Sequence, residues 1–160
     1  MQNKEEFTQV RIKELLAGLK ENTKPLWGMM TPQHMVEHLT VAVKASTGRI
    51  KSIVVTPPDK IKAVRQRYLE GDGLWERGMK NPLLPEDRLV NLKYATLQEA
   101  KEKLIDAVGE FEAYYAAHPD AVEANPFTGY MHFNEWKQFH FKHFRHHFIQ
   151  FGLLKNLYEN

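Results

Sequence analysis

The stretch that decides the fold runs from Asn134 to Gln150, NEWKQFHFKHFRHHFIQ, and holds four of the eight histidines with no helix breaker. Such a run predicts a helix, in which residues three and four positions apart share a face. His143 and His147 then point the same way from one rigid element, where they can hold one metal ion. Because two ligands do not make a catalytic site, a third is expected from elsewhere in the chain.

The composition is that of one globular domain covering residues 1–160, with 42% hydrophobic and 26% charged residues. No apolar run approaches the roughly 20 residues of a membrane span. The first residues enter a charged amphipathic pattern without a signal-peptide signature. The chain has no cysteine, which excludes disulfides, thiolate metal sites and cysteine nucleophiles. These features predict a cytoplasmic protein without a membrane partner.

The charge pattern argues against a nucleic-acid partner. The formal net charge is +2, from 22 basic and 20 acidic side chains. The basic residues are scattered along the chain, whereas sequence-independent binding to nucleic acid needs a clustered basic face.

Four amphipathic helices are predicted from hydrophobic spacing and capping signals. Thr31-Pro32 is a strong helix start, and Thr96 with Glu99 matches a capping box. Asn134 is the expected cap of the last helix. The four predicted helices cover about 4–21, 32–48, 97–117 and 135–157.

An irregular segment from about 46 to 95, here called the excursion, separates the second and third predicted helices. Within it, 50–55 is predicted to be extended and 60–70 to form a short helix. The segment has too few apolar residues for a core of its own. The pattern therefore predicts an all-α fold, a four-helix bundle with a long crossover between helices two and three.

His38 is the expected third metal ligand, because it lies on the largely apolar side of the second helix. A lone inward histidine is usually satisfied by hydrogen bonds, but three of them from two helices are difficult to bury without a shared partner. A metal ion takes one ring nitrogen of each, while neighbouring groups take the other. We therefore predict a metal site at His38, His143 and His147.

The other histidines of the last helix are given different roles. His140 lies on the same face and is expected to pack in the core or to support a ligand. Gln150 either hydrogen-bonds a ligand histidine or forms a structural hydrogen bond. His146 falls to one side and is the least suited of the four to reach the metal.

A competing motif lies on the second helix, where His34 to His38 reads H-x-x-E-H, the inverted zincin pattern. Short matches of this kind arise often by chance. Glu37 also points about 100° away from His38 on a helix. His34 is instead expected to be partly exposed or to form a rim contact.

Two segments together resemble the DinB-like superfamily of metal-dependent proteins: TPQHMVEHL at 31–39 and HFRHHFIQ at 143–150. A bacterial branch of unknown function is similar in more detail, with Pro126-x-x-Gly129, Glu135-Trp136 and the run from His143 to Gly152. One departure is Asn125, where that branch is expected to carry histidine.

The resemblance implies a four-helix bundle, often a homodimer, with one divalent ion held by His38, His143 and His147. The ion is commonly nickel or zinc. Relatives with assigned activities include hydrolases and thiol-dependent transferases, and the superfamily name does not imply binding to DNA.

Three neutral imidazoles would leave a divalent ion its full charge and open positions for water or substrate. The same residues can therefore serve hydrolysis or the transfer of a low-molecular-weight thiol to a small-molecule substrate. No catalytic base is assigned; Glu112 and Tyr115 qualify only if the third helix lines the pocket. The alternative is a dimeric bundle that binds a metal or a ligand without turnover.

Overall fold

The computed structural model describes residues 7–155, and this part of the chain is mostly helical. It contains five α-helices, a one-turn 3₁₀ helix at Pro58–Lys60 before α3, and one two-stranded sheet. The elements in chain order are α1 (Gln9–Leu16), α2 (Pro32–Ala45), α3 (Ile61–Leu69), α4 (Leu97–Ala117), β1 (Glu123–Asn125), β2 (Gly129–Met131) and α5 (Phe133–Gln150).

The predicted starts of α2 and α4 are confirmed. The Thr31 hydroxyl accepts the amide of His34, and the Thr96 hydroxyl accepts the amide of Glu99. The Glu99 carboxylate reaches back to the amide of Ala95, one residue before the cap. The apolar stripe of α4 is buried, and its residues are Leu97, Ala100, Leu104, Val108, Phe111 and Tyr115.

The core lies where α4 packs against α1 and α2, and where α2 packs against α5. The fully buried residues of α2 are Met35, Val36, Leu39 and Val43. Helix α1 is shorter than the predicted 4–21, since residues 17–21 are not helical and 4–6 lie outside the described residues. The helix contributes Ile12 and Leu16 to the core.

Helix α5 begins and ends earlier than predicted. His132 rather than Asn134 is its N-cap, and the His132 amide donates to the Glu135 carboxylate at 3.1 Å. The helix ends at Gln150, and Gly152 follows with φ +71°, a conformation that glycine tolerates best. The predicted continuation through 151–155 is therefore wrong, and 156–157 lie outside the described residues.

A small β-hairpin precedes α5 and was not predicted from the sequence. Glu123 pairs with Met131, and Asn125 pairs with Gly129, in an antiparallel register. The buried Asn125 side chain accepts the amides of Phe127 and Thr128, an Asx-type turn. Asn125, the position at which the resemblance implies histidine, therefore closes the hairpin turn.

The excursion contains α3, as predicted, and otherwise lacks regular structure apart from the 3₁₀ turn. Residues 50–55 form no strand, although the Val55 amide donates to the Pro126 carbonyl at 2.8 Å. The part of the excursion after α3 is tied to α5, because Lys142 donates to the Glu70 carbonyl and Arg145 to the Gly73 carbonyl. Among residues 7–155, no helix combines the length and the apolarity needed to cross a bilayer.

Candidate metal centre

Three histidines from two helices converge on one point. His38 comes from α2, and His143 and His147 come from successive turns of α5. Each offers one ring nitrogen, and the three nitrogens lie within 4.8 Å of one another. The ring centroids are 4.9 Å apart in every pair. The structure therefore brings together the three residues predicted as metal ligands.

The closest approach in the cluster joins Nε2 of His38 to Nε2 of His143, at 2.9 Å. The ring nitrogens of two neutral imidazoles can approach this closely only if one of them carries a proton and donates it to the other. Two nitrogens bound to one tetrahedral ion at 2.0–2.1 Å would lie about 3.3 Å apart. The observed distance is close to that spacing, so the pair fits a shared cation after a small outward shift.

Gln150 determines the tautomer of His147. The Gln150 amide nitrogen donates to the Trp27 carbonyl at 2.9 Å, so its oxygen faces His147 Nδ1 at 2.7 Å. That oxygen only accepts hydrogen bonds, and Nδ1 of neutral His147 must therefore carry the ring proton. Nε2 is left with its lone pair, as a metal ligand requires. This arrangement matches one of the two roles predicted for Gln150.

The backbone around Trp27 approaches Gln150 closely. The Leu26 amide donates to the Gln150 carbonyl at 2.7 Å, which ties this segment to the end of α5. Gly28 follows with φ +82°, and a Cβ there would lie 3.0 Å from the Gln150 amide nitrogen. A glycine at position 28 therefore permits both the left-handed backbone and the close contact.

Burial keeps the clustered imidazoles neutral. It lowers the pKa of His38 to about 4, with a further contribution from nearby His146. The pKa values of His143 and His147 also lie well below the usual 6.5, first through burial and then through neighbouring histidines. Among residues 7–155, no carboxylate contributes to these shifts. All three rings are therefore uncharged at neutral pH, the state that binds metal.

His143 lacks the second hydrogen bond that His147 has. Its Nδ1 is buried and has no hydrogen-bond partner among residues 7–155. The flat face of its ring is covered by Trp75 at 5.3 Å and 30°. Ring packing, not a hydrogen bond from Nδ1, therefore orients His143.

His140 lies in the core and not in the cluster, in line with its predicted packing role. Its ring is stacked between Phe7 and Trp136, at 5.5 and 5.3 Å. Nε2 lies 2.9 Å from the Ser46 hydroxyl, and Nδ1 is buried without a partner among the described residues. Burial lowers the pKa of His140 to about 3.

His146 lies beside the cluster and faces the excursion. Its ring lies 5.0 Å from His147, 5.4 Å from Trp27 and 6.0 Å from Trp75. It also has a hydrogen bond with the backbone of Trp75. The structure thus places it outside the three-histidine group.

His34 and Glu37 of the zincin-like motif form structural hydrogen bonds. His34 lies 2.6 Å from the Thr31 hydroxyl through Nδ1 and 3.0 Å from the Val90 carbonyl through Nε2. The Glu37 carboxylate accepts the amide of Lys93 at 2.6 Å. Both side chains therefore link the end of the excursion to α2 by hydrogen bonds, and neither belongs to the three-histidine cluster. This geometry argues against a peptidase site and agrees with the predicted rim contact of His34.

Neither predicted candidate for a general base is supported. Glu112 is exposed on α4. The Tyr115 hydroxyl donates to the Ser46 carbonyl at 2.7 Å, and burial followed by the charge of Glu123 raises its pKa. An open cavity of about 340 Å³ at the end of α4, lined by Tyr114, His118 and 119–121, contains none of the clustered histidines.

Sequence reasoning missed the residues that cover the cluster. Trp75 and Trp27 come from irregular segments, and Arg77 lies over the Trp27 ring at 4.5 Å. Hydrophobic periodicity gives no information there. The one available signal was the presence of tryptophans in segments without helical periodicity, since an indole ring is rarely left fully in solvent.

Comparison of the chain with protein-family models, with curated proteins and with solved structures finds no match in any of the three.

Proposed function

We propose that this protein is a metal-dependent enzyme that acts on a small molecule through a divalent ion bound by His38, His143 and His147. The observation that carries the proposal is the convergence of three neutral imidazole nitrogens within 4.8 Å. The fixed tautomer of His147 adds support, because a metal-binding histidine usually donates its other ring proton to a nearby acceptor.

Zinc and nickel are the ions we propose, because imidazole suits both. A ligand set without carboxylates leaves the ion its full charge, which activates a bound water or thiol. The protein itself would keep the three rings uncharged by burial and orient His147 through Gln150. Trp75 would limit the access of water on the His143 side.

Two reaction classes use this arrangement: hydrolysis, and the transfer of a low-molecular-weight thiol. Because the chain has no cysteine, a thiol would have to come from a cosubstrate. In the part of the chain that the structure describes, no carboxylate joins the cluster to serve as a general base. A proton acceptor would then be the metal-bound group itself or the substrate.

We also propose a DinB-like four-helix bundle, in which α1, α2, α4 and α5 are the bundle helices and the excursion is the crossover. The packing of α4 on α1 and α2, and of α2 on α5, supports this arrangement. We include a homodimer in this proposal, for which the sequence resemblance is the sole support.

A second candidate function is metal binding without turnover. Burial favours it, because His143 is only 6% exposed and His147 only 8%. An ion buried to this degree could stabilise the fold or give the protein a sensing role. His38 is the more exposed ligand and marks the side from which a substrate would approach.

Metal analysis of untagged protein is the first test. One equivalent of zinc or nickel is expected, and it should be lost in His38→Ala and His147→Ala but kept in the exposed control His118→Ala. Equal metal content in all four proteins would refute the three-histidine site. Panels of ester, amide and thiol-acceptor substrates would then distinguish the two candidate functions. Turnover that is abolished in His147→Ala would support the enzyme, and no turnover of any substrate would support metal binding alone.

A further inference from the structure

The backbone segment that carries Trp75, residues 70–75 and here called the strap, lies along α5 without regular structure. In the described part of the chain, its one backbone–backbone hydrogen bond runs from the Glu70 amide to the Gln66 carbonyl, at 3.3 Å. Gly71 has φ +73°, and a Cβ on Gly73 would meet no atom within 4 Å. The strap therefore depends on side chains of other elements for its position.

Two cationic side chains of α5 make these contacts. The Lys142 ammonium donates to the Glu70 carbonyl at 2.9 Å, and the Arg145 guanidinium donates to the Gly73 carbonyl at 2.8 Å. Lys142 is 2% exposed and Arg145 is 5% exposed. Glu70 is the C-cap of α3, and the carbonyl end of a helix favours a positive charge that burial would otherwise disfavour. Lys142 therefore ties the start of the strap to the helix that carries two of the proposed ligands.

Trp75 connects the strap to His143. The Trp75 ring lies 5.3 Å from the His143 ring, and the Phe139 ring lies 5.5 Å from it. The His143 Nδ1 atom, in contrast, has no hydrogen-bond partner among residues 7–155. A ligand histidine is usually oriented by a hydrogen bond at its second ring nitrogen. For His143, ring contacts take the place of that bond, and one of the two rings belongs to the strap.

We infer that Lys142 is a positioning residue of the proposed metal centre, which acts on His143 through the strap and Trp75. This inference rests on the proposed function, because it concerns the affinity of the histidine cluster for its ion. Coupling of this kind is reciprocal. If the docked strap favours ion binding, a bound ion must favour the docked strap by the same factor.

The test uses the full-length protein and Co²⁺, whose visible absorption changes with the number and geometry of its ligands. Affinity is measured by competition with a chelator for wild type, Lys142→Met, Lys142→Arg and Gln138→Leu. Lys142→Arg keeps a cationic donor at this position. Gln138→Leu is the matched control, because it removes a bond from the same helix to the Leu69 carbonyl, before the strap begins.

Lys142→Met is expected to bind Co²⁺ about tenfold more weakly than wild type, the lower end of the effect of losing a group that orients a ligand. Its Co²⁺ spectrum should also change, while Lys142→Arg and Gln138→Leu keep the wild-type affinity and spectrum. A merely structural Lys142 would lower stability and change neither. Unchanged affinity in Lys142→Met overturns the inference and leaves the metal site standing, whereas wild type without stoichiometric Co²⁺ overturns both.

A second measurement needs no variant. Limited proteolysis of wild type within 70–80 should slow about tenfold when Co²⁺ is bound, because cleavage requires the strap to undock and the coupling is reciprocal. Cleavage at the same rate with and without bound Co²⁺ would show that the strap and the ion are independent, which also overturns the inference.

Discussion

Gln150 accepts the Nδ1 proton of His147 at 2.7 Å, and this single bond joins a predicted metal ligand to the Trp27 backbone through the other end of the same amide. The two residues lie three positions apart, one turn of α5. The orientation of the ligand is therefore set within its own helix and secured by a segment from the other end of the chain.

Replacing Gln150 with leucine should weaken metal binding. The variant removes the acceptor of the His147 proton at nearly constant volume, and loss of such a partner typically costs 10–100-fold in metal affinity. Competition with a chromophoric chelator measures the change. Gln138→Leu is the matched control, because its amide donates to the Leu69 carbonyl outside the cluster. Equal affinities for the two variants would show that Gln150 has no role in ligand orientation.

Gly28→Ala should lower both stability and metal affinity. A Cβ would meet the Gln150 amide at 3.0 Å, and φ is +82°. Gly78 has a similar φ of +72° with no atom within 4 Å of a Cβ, so Gly78→Ala isolates the backbone cost. Each variant should lose about 1 kcal/mol in denaturant unfolding. Weaker metal binding is expected in Gly28→Ala alone, and its appearance in Gly78→Ala would contradict the contact argument.

His140 should make the folded protein acid-sensitive. Its pKa is about 3 in the folded state, against 6.5 for an ordinary histidine. The unfolded chain therefore binds one more proton between these values, and stability that is complete above about pH 6.5 falls as the pH drops toward 3. The loss is on the order of a few kcal/mol, since each pKa unit corresponds to about 1.4 kcal/mol.

The comparison that isolates this effect is wild type against His140→Phe, unfolded by urea between pH 7 and 4 in the presence of a chelator. His140→Phe should show a shallower loss of stability on acidification. The exposed His118→Ala should follow the wild-type slope. Parallel curves for wild type and His140→Phe would contradict the assignment.

Lys142→Met should loosen the excursion without unfolding the core. Lys142 is 2% exposed, and its ammonium donates to the Glu70 carbonyl at 2.9 Å. Methionine fills much of the space but leaves that carbonyl unpaired, which costs about 1–3 kcal/mol locally. Limited proteolysis should cut within 70–80 faster than in wild type. Lys103→Met, an exposed change on α4, should be cut at the wild-type rate.

The sequence was sufficient where local chemistry decides the structure. Thr31-Pro32 and Thr96 mark helix starts through hydrogen bonds within the first turn, and both starts are confirmed. Helical spacing predicted that His143 and His147 share a face of α5, and the apolar side of α2 together with the family resemblance pointed to His38 as the third residue. The cap of α5 was placed two residues late, since His132 is an uncommon cap and the hairpin before it went unrecognised.

The sequence did not predict the contacts that irregular loops make with the helices. On a helical wheel Lys142 and Arg145 point away from the cluster, yet both are buried because the excursion covers that side of α5. Their cationic ends bond to backbone carbonyls at 70–73, which have no sequence signature. Trp75 contacts His143 because it belongs to the same part of the excursion, which packs against α5. Contacts made by irregular backbone depend on the whole fold and have no periodicity to reveal them.

The bond between Gln150 and Trp27 spans 123 residues of sequence. An ion shared by His38 of α2 and His147 of α5 would act as a second, reversible cross-link beside that bond. The entropic cost of closing a loop grows only slowly with its length, so a link between distant parts of the chain costs little more than one between nearer parts. The same ion that prepares a reaction would thus also hold α2 against the helix that carries the other two ligands.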